Sequence, residues 1–253
     1  MGLFDLTAPV FGAVDDILLS FLPAFLRLLL WGILAGWLTM LVYRKISNQE
    51  KIGVLKAEQK KLQRSITQFD GEFEHLLPVI WRTLGLGFRQ LGLAIGPALL
   101  STLPVLFLII WAAGRFAYAT QEAGDSIDFH AEPSPANLQW SPEDIASPIA
   151  KGWTVIWPDT GNLAVLKSDE ISLLELPLDA NVPLIHKKRW WNVLMANPLG
   201  YLPHNLETDT ITFDLPEIQI LNFGPGWVRG WMFSFFLSFL FSSIAFKFIL
   251  KIE

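Results

Sequence analysis

Three long apolar runs separated by polar segments dominate the pattern of the chain, and they occupy residues 17–43, 91–116 and 231–250. The first run contains a single charge, Arg27, and its 27 residues would form roughly 40 Å of helix at 1.5 Å per residue. Each run exceeds the roughly 18 residues that distinguish a membrane span from a buried core helix. The pattern therefore predicts three transmembrane helices.

The composition also indicates a lipid environment. Of the 253 residues, 52% are hydrophobic and only 17% are charged, whereas about a quarter are charged in an ordinary soluble domain. The chain has no cysteine, which excludes disulfides, thiolate metal sites and thiol nucleophiles. Residues 1–16 contain three acids and no Lys or Arg, so we interpret the first run as a retained span and not as a signal peptide.

The charges of the connecting segments predict the orientation. Residues 44–90 carry nine basic and five acidic residues, whereas residues 116–228 carry five basic and fifteen acidic residues. The positive-inside rule places the first segment in the cytoplasm and the second outside, with the N-terminus outside and the C-terminus inside. We expect localisation to a bacterial inner membrane.

These runs and segments predict an α-helical membrane protein with three transmembrane helices, a cytoplasmic helical hairpin and a small β-rich extracytoplasmic domain. The predicted parts are the N-terminus with the first helix, the hairpin, the second helix, a linker with the β-rich domain, and the third helix with the tail. In the same order they cover residues 1–43, 44–90, 91–116, 117–228 and 229–253.

Spacing within the cytoplasmic segment predicts an amphipathic helix with coiled-coil tendency. Its apolar seam is formed by Ile52, Leu55, Leu62, Ile66, Phe69 and Phe73. Asp70–Gly71 is a turn signal, and residues 73–90 then read as a second helical segment. The lysines of this segment suit a solvated helix face, with contact to anionic lipid or ribosomal RNA as the alternative. No aromatic residue is interleaved with them, so sequence-specific nucleic-acid recognition is disfavoured.

The extracytoplasmic segment predicts a β-rich domain that follows an extended linker. The linker reaches Pro148 and is rich in Pro, Ala, Ser and acids. Strands are expected at 153–157 and 163–166, joined as a hairpin through the turn 158–161. Further strands are expected at 171–176, 210–213 and 218–221.

Lys187, Lys188, Arg189, Trp190 and Trp191 join three cations to two indoles. This combination is typical of a lipid headgroup layer, where Trp is amphipathic and Lys or Arg meets phosphate. The alternative is that both indoles pack a small core.

No catalytic signature is present, and we predict neither an enzyme nor a bound cofactor or metal. The chain lacks a G-x-S-x-G elbow, a P-loop and an H-E-x-x-H motif. The four histidines do not lie at helix-turn spacing from one another. Asp125, Asp128 and Glu132 lack the pattern of an EF-hand loop.

Polar residues inside the apolar runs are informative because lipid makes them costly. Ser234, Ser238 and Ser242 share one face of the third helix, and Gly32 and Gly36 form a small-xxx-small pair in the first. One interpretation is helix packing. The other is a partly hydrated groove within the membrane, for which the candidate residues are Arg27, Ser101, Thr102, Ser234, Ser238 and Ser242.

The order of these parts resembles the three-span core of the Oxa/YidC/Get superfamily of membrane-protein insertases, in particular its archaeal YidC-like branch. The residues that carry the resemblance are 41–51, 55–63, 103–111, 226–231 and 246–247. The chain departs from that core by an insertion of some 110 residues between the second and third spans.

The resemblance implies an insertase or membrane-complex assembly factor that receives client helices on the hairpin and passes them along a polar groove. The alternative is a non-catalytic structural subunit or scaffold of an envelope complex. The expected partners are membrane lipids and client or partner membrane proteins, and the ribosome is a further candidate.

Overall fold

The computed structural model describes residues 2–69, 73–133, 138–159, 161–169 and 171–252. After a short 3-10 helix, Leu3–Thr7, six α-helices are found: α1 Ala8–Leu19, α2 Ala24–Ile46, α3 Gln49–Thr67, α4 Phe73–Phe116, α5 Gly226–Arg229 and α6 Trp231–Ile249. Between α4 and α5 lie eight strands: β1 Ser126–Glu132, β2 Leu138–Ser141, β3 Ala146–Ile149, β4 Gly152–Ile156, β5 Ala164–Ser168, β6 Ile171–Leu176, β7 Leu184–His186 and β8 Thr210–Phe213.

Three helices are long and apolar enough to cross a membrane: Ala24–Ile46, Leu76–Phe116 and Trp231–Ile249. Three long apolar helices in the predicted order along the chain are therefore confirmed. A β-rich region between the second and third of these helices is confirmed as well.

The first apolar run is not a single helix. It divides at residues 20–23 into the end of α1 and most of α2. Pro23 has no backbone N–H, and its ring disfavours the helical conformation of the residue before it. Its carbonyl instead accepts a bond from the Arg27 N–H, 3.2 Å away, which begins α2. The prediction of one helix over residues 17–43 was therefore wrong for residues 17–23, which precede α2.

Helix α4 is continuous over 44 residues, whereas a hairpin arm and a separate span were expected. Pro78, Pro97 and Pro104 lie inside this helix. Along α3 the seam residues Ile52 and Leu55 are buried. The predicted turn at Asp70–Gly71 lies outside the described residues.

Residues 117–225, called the β domain below, contain two antiparallel sheets. One has the order β3-β4-β1-β8-β7 and the other β2-β5-β6. Their buried side chains form one core, in which the Phe129 ring of β1 lies 5.1 Å from the Trp140 ring of β2. The sheets therefore bury their apolar faces against each other.

Three expectations for the β domain were wrong. The segment expected to be a linker contains β1, the central strand of the larger sheet. Its outward Ser126, Asp128, His130 and Glu132 gave the segment a polar composition, but they alternate with buried residues as a half-buried strand requires.

The expected hairpin does not form either, because β4 pairs with β1 and β3 whereas β5 pairs with β2 and β6. The turn between them, whose Thr160 lies outside the described residues, connects one sheet to the other. Residues 218–221 form no strand; beside them Glu217 makes only an isolated bridge with Tyr118.

The chain divides into two compact units. The first comprises Met1–Arg27 and Phe107–Phe233, and therefore includes α1 and the β domain. The second comprises Leu28–Leu106 and Ser234–Glu253, and includes α3 and most of the three long helices.

Candidate functional site

Glycines of α2 meet serines of α6 at close range. A Cβ added at Gly32 would overlap the Ser238 hydroxyl and lie 2.6 Å from the Phe235 carbonyl oxygen. A Cβ at Gly36 would overlap the Ser242 hydroxyl. The small residues thus allow the two helix backbones to approach each other.

The hydroxyls on this face of α6 are buried. Ser238 donates to the Phe235 carbonyl at 2.9 Å, and Ser242 donates to the Phe239 carbonyl at 3.0 Å, with Gly32 O 3.4 Å away. Ser234 is buried and finds no hydrogen-bond partner among the described residues. These contacts are those of helix packing, the interpretation that stood beside the groove.

The two polar residues of the second span bond within their own helix. Ser101 is buried and donates to the Ala98 carbonyl at 2.8 Å, while the exposed Thr102 donates to the Leu99 carbonyl at 2.7 Å. Both hydroxyls therefore donate their hydrogen bonds to backbone carbonyls three residues earlier in the same helix.

Arg27 belongs to a buried charge cluster at the start of α2. Its guanidinium binds the carboxylate of Asp15 on α1, and both side chains are buried. Arg27 also lies over the Phe116 ring, with 5.0 Å between the guanidinium carbon and the ring centroid. The guanidinium of Arg27 therefore faces a carboxylate and the face of an aromatic ring.

A second arginine completes the cluster. The Nε of Arg115, near the end of α4, lies 3.2 Å from the Asp15 carboxylate, and its outer nitrogen binds Asp16. Asp15 therefore meets two guanidinium groups, while Asp16 is largely exposed. A buried carboxylate in this position compensates charges that lipid or protein would otherwise leave unpaired.

The sequence did contain a signal for this cluster. An arginine inside an apolar run requires a partner at the same depth, and Asp15 and Asp16 are the acids that precede it most closely. Only the break at Ser20–Pro23 lets α1 fold back and deliver them.

The five residues predicted to meet lipid headgroups differ in their contacts and in their exposure. The Lys187 ammonium lies 2.8 Å from the Asp209 carboxylate, and the Trp191 ring lies 5.1 Å from the His186 ring. Lys188, Arg189 and Trp190 are exposed, and Trp190 is 82% accessible. Trp191 therefore packs within the β domain, whereas Trp190 lies on its surface.

Hydrogen bonding by Lys187, followed by its positive charge and that of Arg189, lowers the pKa of the Asp209 carboxyl below its ordinary value. Because the folded pKa lies below the unfolded one, this contact stabilises the fold above the ordinary carboxyl pKa. That contribution is lost as the pH falls through the lowered value.

A group that the sequence did not suggest lies on the outward face of β1. Asp128, His130 and Asp214 place three possible ligand atoms within 4.8 Å of one another, with 3.4 Å between the His130 Nε2 and an Asp214 oxygen. The pairing of β1 with β8 brings Asp214 beside them, which residue spacing alone could not indicate. The arrangement suits a polar contact between the imidazole and the carboxylates on a solvated sheet face.

An apolar stripe runs along the first third of α4. Leu77, Trp81, Leu84 and Phe88 are all exposed, Trp81 by 70% and Phe88 by 73%. Spacings of four, three and four place them on one face of the helix.

The other side of this part of α4 contacts α3. Arg82 pairs with Glu58 at 2.6 Å, and a Cβ at Gly87 would lie 3.6 Å from the Gln59 side chain. The stripe is therefore directed away from α3.

Comparison of the chain with protein-family models, with characterised proteins and with solved structures finds no match.

Gly36→Leu is expected to lower the free energy of unfolding in detergent micelles by about 1–3 kcal/mol, because a larger side chain must force apart tightly packed helices. Gly96→Leu is the matched control, since a Cβ at Gly96 meets open space. Equal losses in the two variants would contradict the packing described for α2 and α6.

Asp15→Asn is expected to cost about 3–5 kcal/mol in the same measurement, because it leaves buried guanidinium charge uncompensated. Asp16→Asn, which alters an exposed carboxylate of the same cluster, is expected to cost under about 1 kcal/mol. The double change Asp15→Leu with Arg27→Leu is expected to recover much of the loss, since it removes both buried charges. If the loss of free energy of unfolding in the double variant equals the summed losses of Asp15→Leu alone and Arg27→Leu alone, the two side chains do not pair directly.

Lys187→Gln is expected to raise the pKa of Asp209 towards its ordinary value, as followed by carboxyl carbon chemical shifts in an NMR pH titration. Lys188→Gln is the control, because Lys188 lies near the Tyr201 ring, 5.9 Å from its centroid. An unchanged Asp209 titration in the first variant would remove Lys187 as the cause.

Proposed function

We propose that this protein is an insertase-like membrane-protein assembly factor that receives apolar client helices on the stripe of α4. The observation that carries the proposal is an exposed row of large apolar side chains on a helix segment whose opposite side is held by α3. In an integral membrane protein of the inner membrane, with the α3 side in the cytoplasm, this stripe would meet a client before it enters lipid.

The length of α4 supports this position. Its 44 residues give about 66 Å of helix, more than twice the roughly 30 Å of a hydrocarbon core. When residues 91–116 span the bilayer, the segment that carries Leu77, Trp81 and Leu84 extends beyond it. Large apolar side chains that remain outside lipid favour contact with another apolar segment.

Positive charge on the helices that carry and support the stripe favours an early encounter with clients at the membrane surface. Exposed bases lie on α3 and on the first part of α4: Lys51, Lys60, Lys61, Arg64, Arg82 and Arg89. Such a surface is attracted to anionic lipid and holds the segment near the bilayer. The insertase resemblance agrees with this role, because the hairpin is the client-binding element of that superfamily.

A second candidate function is a structural subunit of an envelope complex. The observation that favours it is the close contact of Gly32 and Gly36 with Ser238 and Ser242. Those hydroxyls close a helix contact, so the polar groove supports the insertase proposal less than the stripe does. A scaffold would hold a permanent partner and would not release clients.

A photoreactive amino acid at position 81 is expected to crosslink a stalled nascent chain that bears one moderately apolar helix. Position 63 on α3, exposed and polar, provides the matched control. We expect several-fold more crosslink at 81 than at 63, and a loss of the signal when the client helix is made polar.

The same experiment separates the two candidates. A crosslink at 81 to one stoichiometric protein, unchanged by the client, would favour the structural subunit. Adducts with lipid alone would show that the stripe is a membrane-resting surface and would contradict client binding.

A further inference from the structure

A second apolar face lies on the N-terminal helices. Leu3, Leu6, Val10, Val14 and Ile17 are all exposed, and their spacings of three, four, four and three place them on one side of the N-terminal helices. The other side is occupied, because Asp15 is buried in the charge cluster and the Phe11 ring lies 5.7 Å from Trp111.

The β domain contributes a neighbouring apolar loop. Trp190, Val193, Leu194 and Met195 are exposed, Val193 by 70%. The Phe4 N–H donates to the Leu194 carbonyl at 2.9 Å, and the Ala196 N–H donates to the Asp5 carboxylate at 3.1 Å. A Cβ at Gly2 would lie 2.7 Å from the Leu194 carbonyl oxygen, so the two segments are in direct contact.

Contacts with α4 give the depth of this pair of segments. The Phe4 ring lies 5.0 Å from the Phe107 ring, and Phe107 belongs to the candidate span Leu76–Phe116. Nine residues separate Phe107 from the end of that span, about 14 Å along the helix. If the span ends at the membrane boundary, Phe4 and the Leu194 backbone bonded to it lie below that boundary.

We infer that α1 with its preceding 3-10 helix and the loop 190–195 form one membrane-inserted wedge, whose exposed apolar side chains contact the acyl chains of the leaflet on the β-domain side. The 12 residues of α1 give about 18 Å of helix, too short to cross the bilayer. The chain then turns at Ser20–Pro23 into the candidate span α2, so α1 enters and leaves from the same side. A shallow insertion of this kind gives apolar side chains a lipid environment without a protein partner.

Because these 253 residues contain no cysteine, single labels allow a direct test on the chain in lipid nanodiscs. Val10→Cys and Val193→Cys would each carry a nitroxide spin label, and Leu163→Cys, at an exposed position elsewhere in the β domain, is the control. Collision with oxygen, which concentrates in lipid, is compared with collision by a water-soluble nickel chelate. We expect the oxygen-to-nickel ratio at both wedge positions to exceed that of the control several-fold.

Two results would overturn the wedge. A ratio at Val193 equal to that at Leu163 would place the loop in water. Protection of both wedge labels from both reagents would show that protein, such as a second copy of the chain, covers this face. Neither result bears on client crosslinking at position 81, so the wedge and the proposed function fail separately.

Discussion

The pairing of Asp15 with Arg27 is the interaction on which the N-terminal part of the molecule depends. A guanidinium within an apolar run is tolerated when a carboxylate meets it at the same depth. Asp15 supplies that carboxylate because α1 turns back at residues 20–23. In this position the Asp15 carboxylate also binds Arg115 of α4. One buried ionic contact thus fixes the course of α1, the first turn of α2 and the last turn of α4.

Away from this cluster, the long helices α2 and α6 are held together by the close packing of small residues and not by ion pairs. Glycines on α2 and serines on α6 leave room for backbone contact, and the serine hydroxyls satisfy themselves on carbonyls of their own helix. Between helices that span a bilayer the hydrophobic effect provides little attraction, and close packing of small residues provides it instead. From the sequence alone, the same serines also suit a hydrated groove, because their spacing places them on one helix face but does not indicate which neighbour that face contacts.

Much of the helical architecture was predictable, because hydropathy over some twenty residues is a local property. The break before α2 was missed because Pro23 lies inside an uninterrupted apolar run. In the β domain the composition of Ser126–Glu132 concealed its alternation, and the turn signals near residue 158 could not reveal that β4 and β5 join different sheets. The contact of Asp128 with Asp214 depends on the pairing of distant strands, which spacing along the chain does not encode.

The topology of the larger sheet has a consequence for biogenesis. Its central strand, β1, is the first strand of the β domain, yet it pairs with β8, the last. Phe129 therefore cannot pair with Phe213 until β8 has been synthesised. Strand pairs of this kind form slowly, because the entropy of closing a long loop is lost before the stabilising contacts form. Nearly the whole β domain must be synthesised before its core can form. During that interval the unpaired edges of β1 are open to misassociation.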